Sequence, residues 1–275
     1  MTNIIKKYEK MNNEQLDKLF KSIDERTDID WPYIAGWIDG DGFIGKIGPR
    51  CYGISLKIND KEPVEMLSEI FKTSLSQEKM DKRPIFINPP KRRYYTNIRG
   101  KKVLYLAKKI APFVMEKTKN LYKTLESLGC NEKFSYMEHN DKDFISYLIG
   151  FTEAEGSFSV TKKKQYIYQL ANTNYNLIKY LHKRLHEIGF FNFKIYKIGK
   201  EGYYFFNKKV TDKVVYRKNV YRLFMGGYSL LDFYNLIYSR MKIDRKKQRV
   251  FDAINYYKNY KGPGYNNYMR DKLAL

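Results

Sequence analysis

The sequence predicts an α+β chain of two pseudo-symmetric halves, each an αββαββα unit in which helices back an antiparallel sheet. Three observations predict it. A segment at 31–45, WPYIAGWIDGDGFIG, returns in altered form at 144–160 as FISYLIGFTEAEGSFSV. The patterns that follow each copy come in the same order, which is the mark of a duplicated supersecondary unit. Each copy also switches at one glycine from a continuous apolar stretch to residues that alternate, as a helix running straight into a strand would.

The elements follow in chain order. Leu16, Leu19, Phe20 and Ile23 stand at helical spacing after Asn12 and Asn13, either of which would cap an amphipathic helix. After the first copy come alternating Tyr52–Ile58, a helical run Val64–Phe71, strand-like Pro84–Ile87 and Tyr94–Arg99, and a helix Val103–Phe113. After the second come Tyr166–Asn172, a helix Leu177–Ile188, strand-like Lys194–Ile198 and Tyr203–Phe206, then Val214–Phe224, and a helix near Leu230–Ile237. The expected organisation is an N-terminal helical appendage at 1–30, a first half at 31–128, a linker at 129–141, a second half at 142–260 and a tail at 261–275. The two motif helices would join the halves.

Among 275 residues, 52 Lys and Arg against 30 Asp and Glu give a formal net charge of +22, which calls for a polyanionic partner. No run of about 18 apolar residues is present to span a bilayer, so the anionic surface of a membrane is the weaker reading. The N-terminus has no apolar core or small-residue cleavage site of a secretory signal. Cys51 and Cys130 lie far apart and form neither a disulfide framework nor a zinc cluster, which fits a reducing compartment. Counted about residue 140, the first half holds 26 basic and 19 acidic residues and the second 26 and 11, so the second is the more positive, +15 against +7. Many Tyr and Phe with abundant Lys, Asn and Ile point to an AT-rich coding genome. That places the gene in an organelle, with the mitochondrion the first candidate.

The chemistry lies in IAGWIDGDG (Ile34–Gly42) and LIGFTEAEG (Leu148–Gly156). Ala35, Gly36 and Gly150 are small enough to let two helices meet backbone to backbone. If they meet, Asp41 and Glu155 come together at two helix C-termini, where mutual repulsion and both dipoles disfavour negative charge. A cation relieves that arrangement, and hard oxygen donors without His or Cys suit Mg²⁺ or another divalent ion.

Both segments resemble the motif of LAGLIDADG homing endonucleases, over roughly residues 31–250. The resemblance implies a single-chain, two-motif enzyme. It would be a monomer that cleaves both strands of a long double-stranded DNA site by metal-dependent phosphodiester hydrolysis. It further implies metal-binding acids at Asp41 and Glu155, metal-facing carbonyls at Gly40 and Ala154, and basic residues beside the metal at Lys117 and Lys246, with Lys247 as an alternate to the latter. Asn172 is similar to a solvent-ordering residue of the family. Asp39 and Glu153 are not family ligands and would support the helix ends. Trp37, bulky, and Thr152, polar, depart from the pattern and would act on helix packing. The family also implies a gene inside an intron or intein, the initiating Met1 favouring an intron.

In the implied fold the sheet enters the major groove, where base edges are distinguishable. Ser157, Ser159, Thr161 and Lys163 would line one strand face, with Phe158 and Val160 on the other. Gln165, Gln169, Lys194, Lys197, Tyr216, Arg217, Lys218 and Arg222 extend that surface. In the first half Phe43, Gly45 and Ile47 would face DNA, with Lys57, Arg83, Arg92, Arg93, Asn97 and Arg99 as better contributors. PPKRRYY, 89–95, reads as a phosphate-binding hairpin tip. His182 and His186 share helical spacing with metal pairs, but Lys183 replaces the Glu of HExxH and no third ligand follows. Two other readings remain on the same fold: a maturase that binds its own intron RNA, and a metal-free transcription factor, which retention of both acids disfavours.

Overall fold

Two rounds of the same element order run along the computed structural model, which describes residues 2–6, 10–49, 51–79, 92–132, 134, 139–161, 165–199, 204–206, 213–215, 218–259, 265–266 and 268–269. They fall into two units, 1–151 and 152–275.

The first unit opens with β1 (Thr2–Lys6) and α1 (Asn13–Asp24). Asn12 closes α1 with a full capping box: its side chain accepts from Gln15 N while Gln15 reaches back to Asn12 N, both at 2.9 Å. Then come α2 (Trp31–Asp41), β2 (Gly42–Gly48), β3 (Cys51–Ile58), α3 (Lys61–Phe71), β4 (Leu75–Lys79), β5 (Arg92–Arg99), α4 (Lys101–Ile110) and α5 (Thr118–Ser127). The helix α6 (Asp141–Glu155) begins in the first unit and ends in the second. The second unit continues with β6 (Gly156–Val160), β7 (Tyr166–Asn172), α7 (Tyr175–Glu187), β8 (Lys194–Gly199), β9 (Tyr204–Phe206), β10 (Lys213–Val215), β11 (Val220–Gly226), α8 (Leu230–Tyr238) and α9 (Asp244–Asn259).

The first sheet is antiparallel with order β1-β4-β5-β3-β2. Ile44, Ile54 and Ile98 stand side by side in its register and are all buried against the helices. A slip by one residue would turn this row to water, at about 1.5–3 kcal/mol for each large apolar side chain, so burial sets the register. The second sheet has order β6-β7-β11-β8, and Phe158, Tyr168 and Met225 form the equivalent buried row. A short β9–β10 ribbon stands beside it in the chain.

Four expectations need correcting. The N-terminal appendage is not helical throughout, because Thr2–Lys6 pairs with β4 and adds a fifth strand. The strand partnering β5 is Leu75–Lys79, where Ser76, Glu78 and Lys79 are polar and hide the alternation; Pro84–Ile87 lies outside the described residues. The run Val214–Phe224 falls on two strands in different sheets, β10 ending at Val215 and β11 beginning at Val220. Val160 is exposed at the end of its strand rather than buried beside Phe158.

The motif helix α2 starts at Asp30, whose carboxylate accepts from Tyr33 N at 3.0 Å, with Pro32 in its first turn. It is buried on every side from Tyr33 to Asp39, as a helix apolar all round must be. Within the first unit it lies backbone to backbone on α6. A Cβ on Gly36 would strike Tyr147 O and stand 2.7 Å from Phe151 N, and one on Gly150 would strike Tyr33 O. Both departures are accommodated: bulky Trp37 donates its indole N–H to Tyr33 Oη at 2.9 Å, and polar Thr152 bonds Tyr168 Oη through Oγ1 at 2.8 Å.

Candidate functional site

Each motif helix turns into an edge strand with no residue between. Gly42 is already extended (φ −74°, ψ 156°) although its N–H still donates to Ile38 O. A Cβ there would stand 2.7 Å from Ile38 Cα, and one on Gly156 would strike Thr152 O. Only glycine allows so abrupt a corner. It leaves the residue just before it, Asp41 or Glu155, exposed at the carbonyl end of its helix.

The acid two residues earlier points inward and does different work. Asp39 accepts from Met115 N (2.6 Å), Glu116 N (3.1 Å), Lys117 N (2.9 Å) and the Tyr147 hydroxyl (2.9 Å). Burial pushes the Asp39 carboxyl up from its ordinary range, and those four donors pull against it. Glu153, also buried, accepts from Lys242 N (2.8 Å) and Ile243 N (2.7 Å). In each unit the acid therefore holds the backbone just ahead of a later helix, α5 or α9, where free N–H groups and the dipole favour a carboxylate.

A lysine returns the bond. Lys117 Nζ donates to the carbonyls of Ile38 (2.7 Å), Asp39 (2.7 Å) and Gly40 (2.9 Å). Lys246, 6% exposed, donates to Gly156 O at 2.9 Å, to Glu153 O, and to Thr152 O and Ala154 O at 3.4 Å. Both lysines thus stand at the ends of the motif helices, and the carbonyls of Gly40 and Ala154 face their ammonium groups. Lys247 lies over the Tyr238 ring, 5.3 Å from its centroid. Asn172 uses its side-chain oxygen to accept from Asn174 N at 2.7 Å, which starts the turn into α7.

The donors available at either helix end are oxygens alone, a carboxylate beside main-chain carbonyls. That set fits a hard divalent cation that keeps waters and phosphate oxygens in its other positions. Among the described residues no group of three or more His, Cys, Asp or Glu stands together as a metal cage. His182 Nε2 bonds Phe193 O at 2.9 Å, its ring lies 4.1 Å from that of His186, and His186 meets the Phe191 ring, so this pair packs α7 against the segment just ahead of β8.

The sheets sort the remaining candidates by face. In the first, Phe43, Ser55 and Asn97 are in register, as are Lys57 with Tyr95 and Gly53 with Arg99, all on the face opposite the buried isoleucines. Phe43 is 51% exposed there. Lys57 is bound to Glu78 at 2.6 Å, and Arg93 is paired across the ladder with the same Glu78. In the second sheet Ser157, Gln169, Phe224 and Lys194 are in register on the open face, with Ser159, Arg222 and Tyr196 beside them. Thr161, Gln165 and Lys218 continue beyond the strands, Gln165 N donating to Thr161 Oγ1 at 3.1 Å. Lys197 lies in register with Tyr221 and Asn172, on the ladder rows that face the helices, yet is exposed at the sheet edge. Arg92 belongs to β5. Arg83, Lys163, Tyr216, Arg217 and most of the 89–95 tip lie outside the described residues.

A family model described as a LAGLIDADG-like domain matches residues 145–238. The matched residues take in the second motif and all of the second sheet. An uncharacterized protein of Methanocaldococcus jannaschii, MJ0314, is 32% identical over 160 residues, which cover 57% of this chain and 53% of that protein. The chain thus spans about half the length of the curated relative it matches. Among solved structures, I-SmaMI bound to an uncleaved DNA target with calcium is 13% identical at a TM-score of 0.49, covering 88% of this chain and 97% of that one. The LAGLIDADG homing endonuclease I-GzeII, in complex with its DNA target, is 14% identical at 0.47, covering 84% and 90%.

Two contributors escaped the sequence reading. Tyr147 reads there as one more apolar residue of a buried helix, yet its hydroxyl completes the shell of Asp39. Tyr168 sits in a strand pattern and pairs with Thr152. A polar residue at a core position of LIGFTEAEG is the one signal that a hydroxyl partner had to exist.

Proposed function

We propose that this chain is a site-specific homing endonuclease that cleaves both strands of a long DNA duplex by metal-dependent phosphodiester hydrolysis. The observation that carries the reading is the repeated corner. Twice, an exposed acid ends a buried helix whose last turn is tied down, and twice the next residues begin the edge strand of a sheet with an amide- and cation-bearing open face. The LAGLIDADG-like match over 145–238 supports it.

In this reading Asp41 and Glu155 hold the divalent cations, Mg²⁺ foremost. A bound cation supplies a polarised phosphate and a more acidic water. Asp39, Glu153 and the lysines keep the helix ends from moving as charge accumulates beside them. Lys194, Arg222, Arg93 and Arg99 neutralise phosphates, and Ser157, Gln169, Ser55 and Asn97 offer hydrogen bonds to base edges. The test is incubation of the chain with a duplex spanning the uninterrupted version of its gene's locus, with Mg²⁺ or with EDTA. A defined double-strand break that needs the metal is expected, and binding without metal-dependent cleavage of any strand would refute the assignment.

A further inference from the structure

We propose that Lys117 and Lys246 are positioning residues: each clamps the carbonyl end of a motif helix and so sets where Asp41 or Glu155 stands, without touching the reacting phosphate or water. This rests on the metal-dependent reading above. An ammonium has three N–H donors in a tetrahedral array. Around Lys117 Nζ three carbonyls stand at 2.7, 2.7 and 2.9 Å, enough to engage all three. Around Lys246 Nζ are four, and they bracket the acid: Thr152, Glu153 and Ala154 before Glu155, and Gly156 after it. Lys246 is also enclosed, at 6% exposure. A lysine so committed would have to break several charge-assisted bonds at a helix terminus to reach a phosphate.

The surrounding geometry fits a clamp. The last carbonyls of a helix are under-satisfied within the helix and carry partial negative charge, so a buried cation answers both needs. The lysine backbone or its near neighbours are in turn held by the inward acid: Lys117 N by Asp39, and Lys242 N and Ile243 N, just before α9, by Glu153. Helix end and helix start are therefore tied in both directions, and the exposed acid is the next residue along or the one between.

The test uses Lys246→Met and Lys117→Met in the full chain, since methionine keeps the apolar stem and removes the donors. Hydrogen exchange, followed by mass spectrometry without DNA, should accelerate at least about tenfold at 152–158 in the first variant and 38–44 in the second, the rest unchanged. Single-turnover cleavage should need more Mg²⁺ for half-maximal rate, yet recover to within about tenfold of the parent at saturating metal. Unchanged exchange at the helix ends, or a loss above about a hundredfold at saturating Mg²⁺, overturns the proposal. If Lys246→Met does not fold, Lys246→Gln, which keeps a shorter donor, gives the same readouts. A parent chain that cleaves no duplex would sink the nuclease reading, and the exchange result would still decide the clamp.

Discussion

The two helix-end clasps are built from the same parts but closed to different degrees. In the first unit the inward acid is an aspartate with four donors, one of them the Tyr147 hydroxyl, and the lysine is half-buried. In the second the acid is a glutamate with two backbone donors, and the lysine is enclosed among four carbonyls. The first carboxylate adds a side-chain hydroxyl to its backbone donors, and the second ammonium is the more deeply enclosed. The comparison teaches that two copies of one unit can fix the same point, a helix end, with parts that differ in residue type and in burial.

Removing the outward acids should have the largest effect on activity. Asp41→Asn and Glu155→Gln are expected to lower double-strand cleavage about a thousandfold or more while leaving DNA affinity nearly unchanged. Gel assays that separate nicked from linear product would show whether either variant still cuts one strand. Folding should suffer most at the helix contact. Gly36→Val or Gly150→Val forces a side chain into the backbone of the facing helix and should cost about 3 kcal/mol or more, read by chemical denaturation. Losses below about 1 kcal/mol would mean that the helices do not approach as described.

A smaller effect sharpens the comparison of the clasps. Asp39→Asn can accept at one oxygen only and leaves backbone N–H groups buried, so it should destabilise by about 1–3 kcal/mol. Lys242 N and Ile243 N both reach Glu153 Oε1, so the amide oxygen of Glu153→Gln can still accept from both, and this variant should cost less than Asp39→Asn, where the backbone donors are split over two oxygens. Equal losses in the two variants would erase the distinction. The smallest and most distributed effect lies on the sheets. The second half has the larger net charge, and its open face holds Lys194 and Arg222, whereas Lys57 is engaged by Glu78. Randomising the half-site read by the second sheet should therefore weaken binding more, at about 1–3 kcal/mol per well-read base pair. Greater loss on the other half-site would reverse the ranking.

Much of this was readable from residues. IAGWIDGDG and LIGFTEAEG announce helix, corner and acid through their small residues and final glycine, and Tyr166–Asn172 has its bounds in plain alternation. What was not readable depended on distant partners. Leu75–Lys79 carries Ser, Gln, Glu and Lys and becomes a strand because β1 and β5 flank it. The second open face reads as uniformly polar from β6 alone, but pairing brings Ile167, Phe224 and Tyr196 onto it. Lys117 and Lys246 could be nominated by resemblance, yet nothing local says that their ammonium groups turn back onto helix carbonyls. That choice is made by the inward acids, which are 78 and 93 residues away along the chain.

The most direct measurement of the central claim is cleavage of the uninterrupted locus by the parent chain and by the Asp41→Asn, Glu155→Gln double variant, side by side in Mg²⁺, with affinity measured across a salt series. The account predicts a single double-strand break by the parent, none by the double variant, and for both the same steep fall of affinity with salt, roughly −0.9 in log–log slope per phosphate neutralised. Cleavage by the double variant at the parent's rate, or a flat salt dependence in either protein, would contradict it.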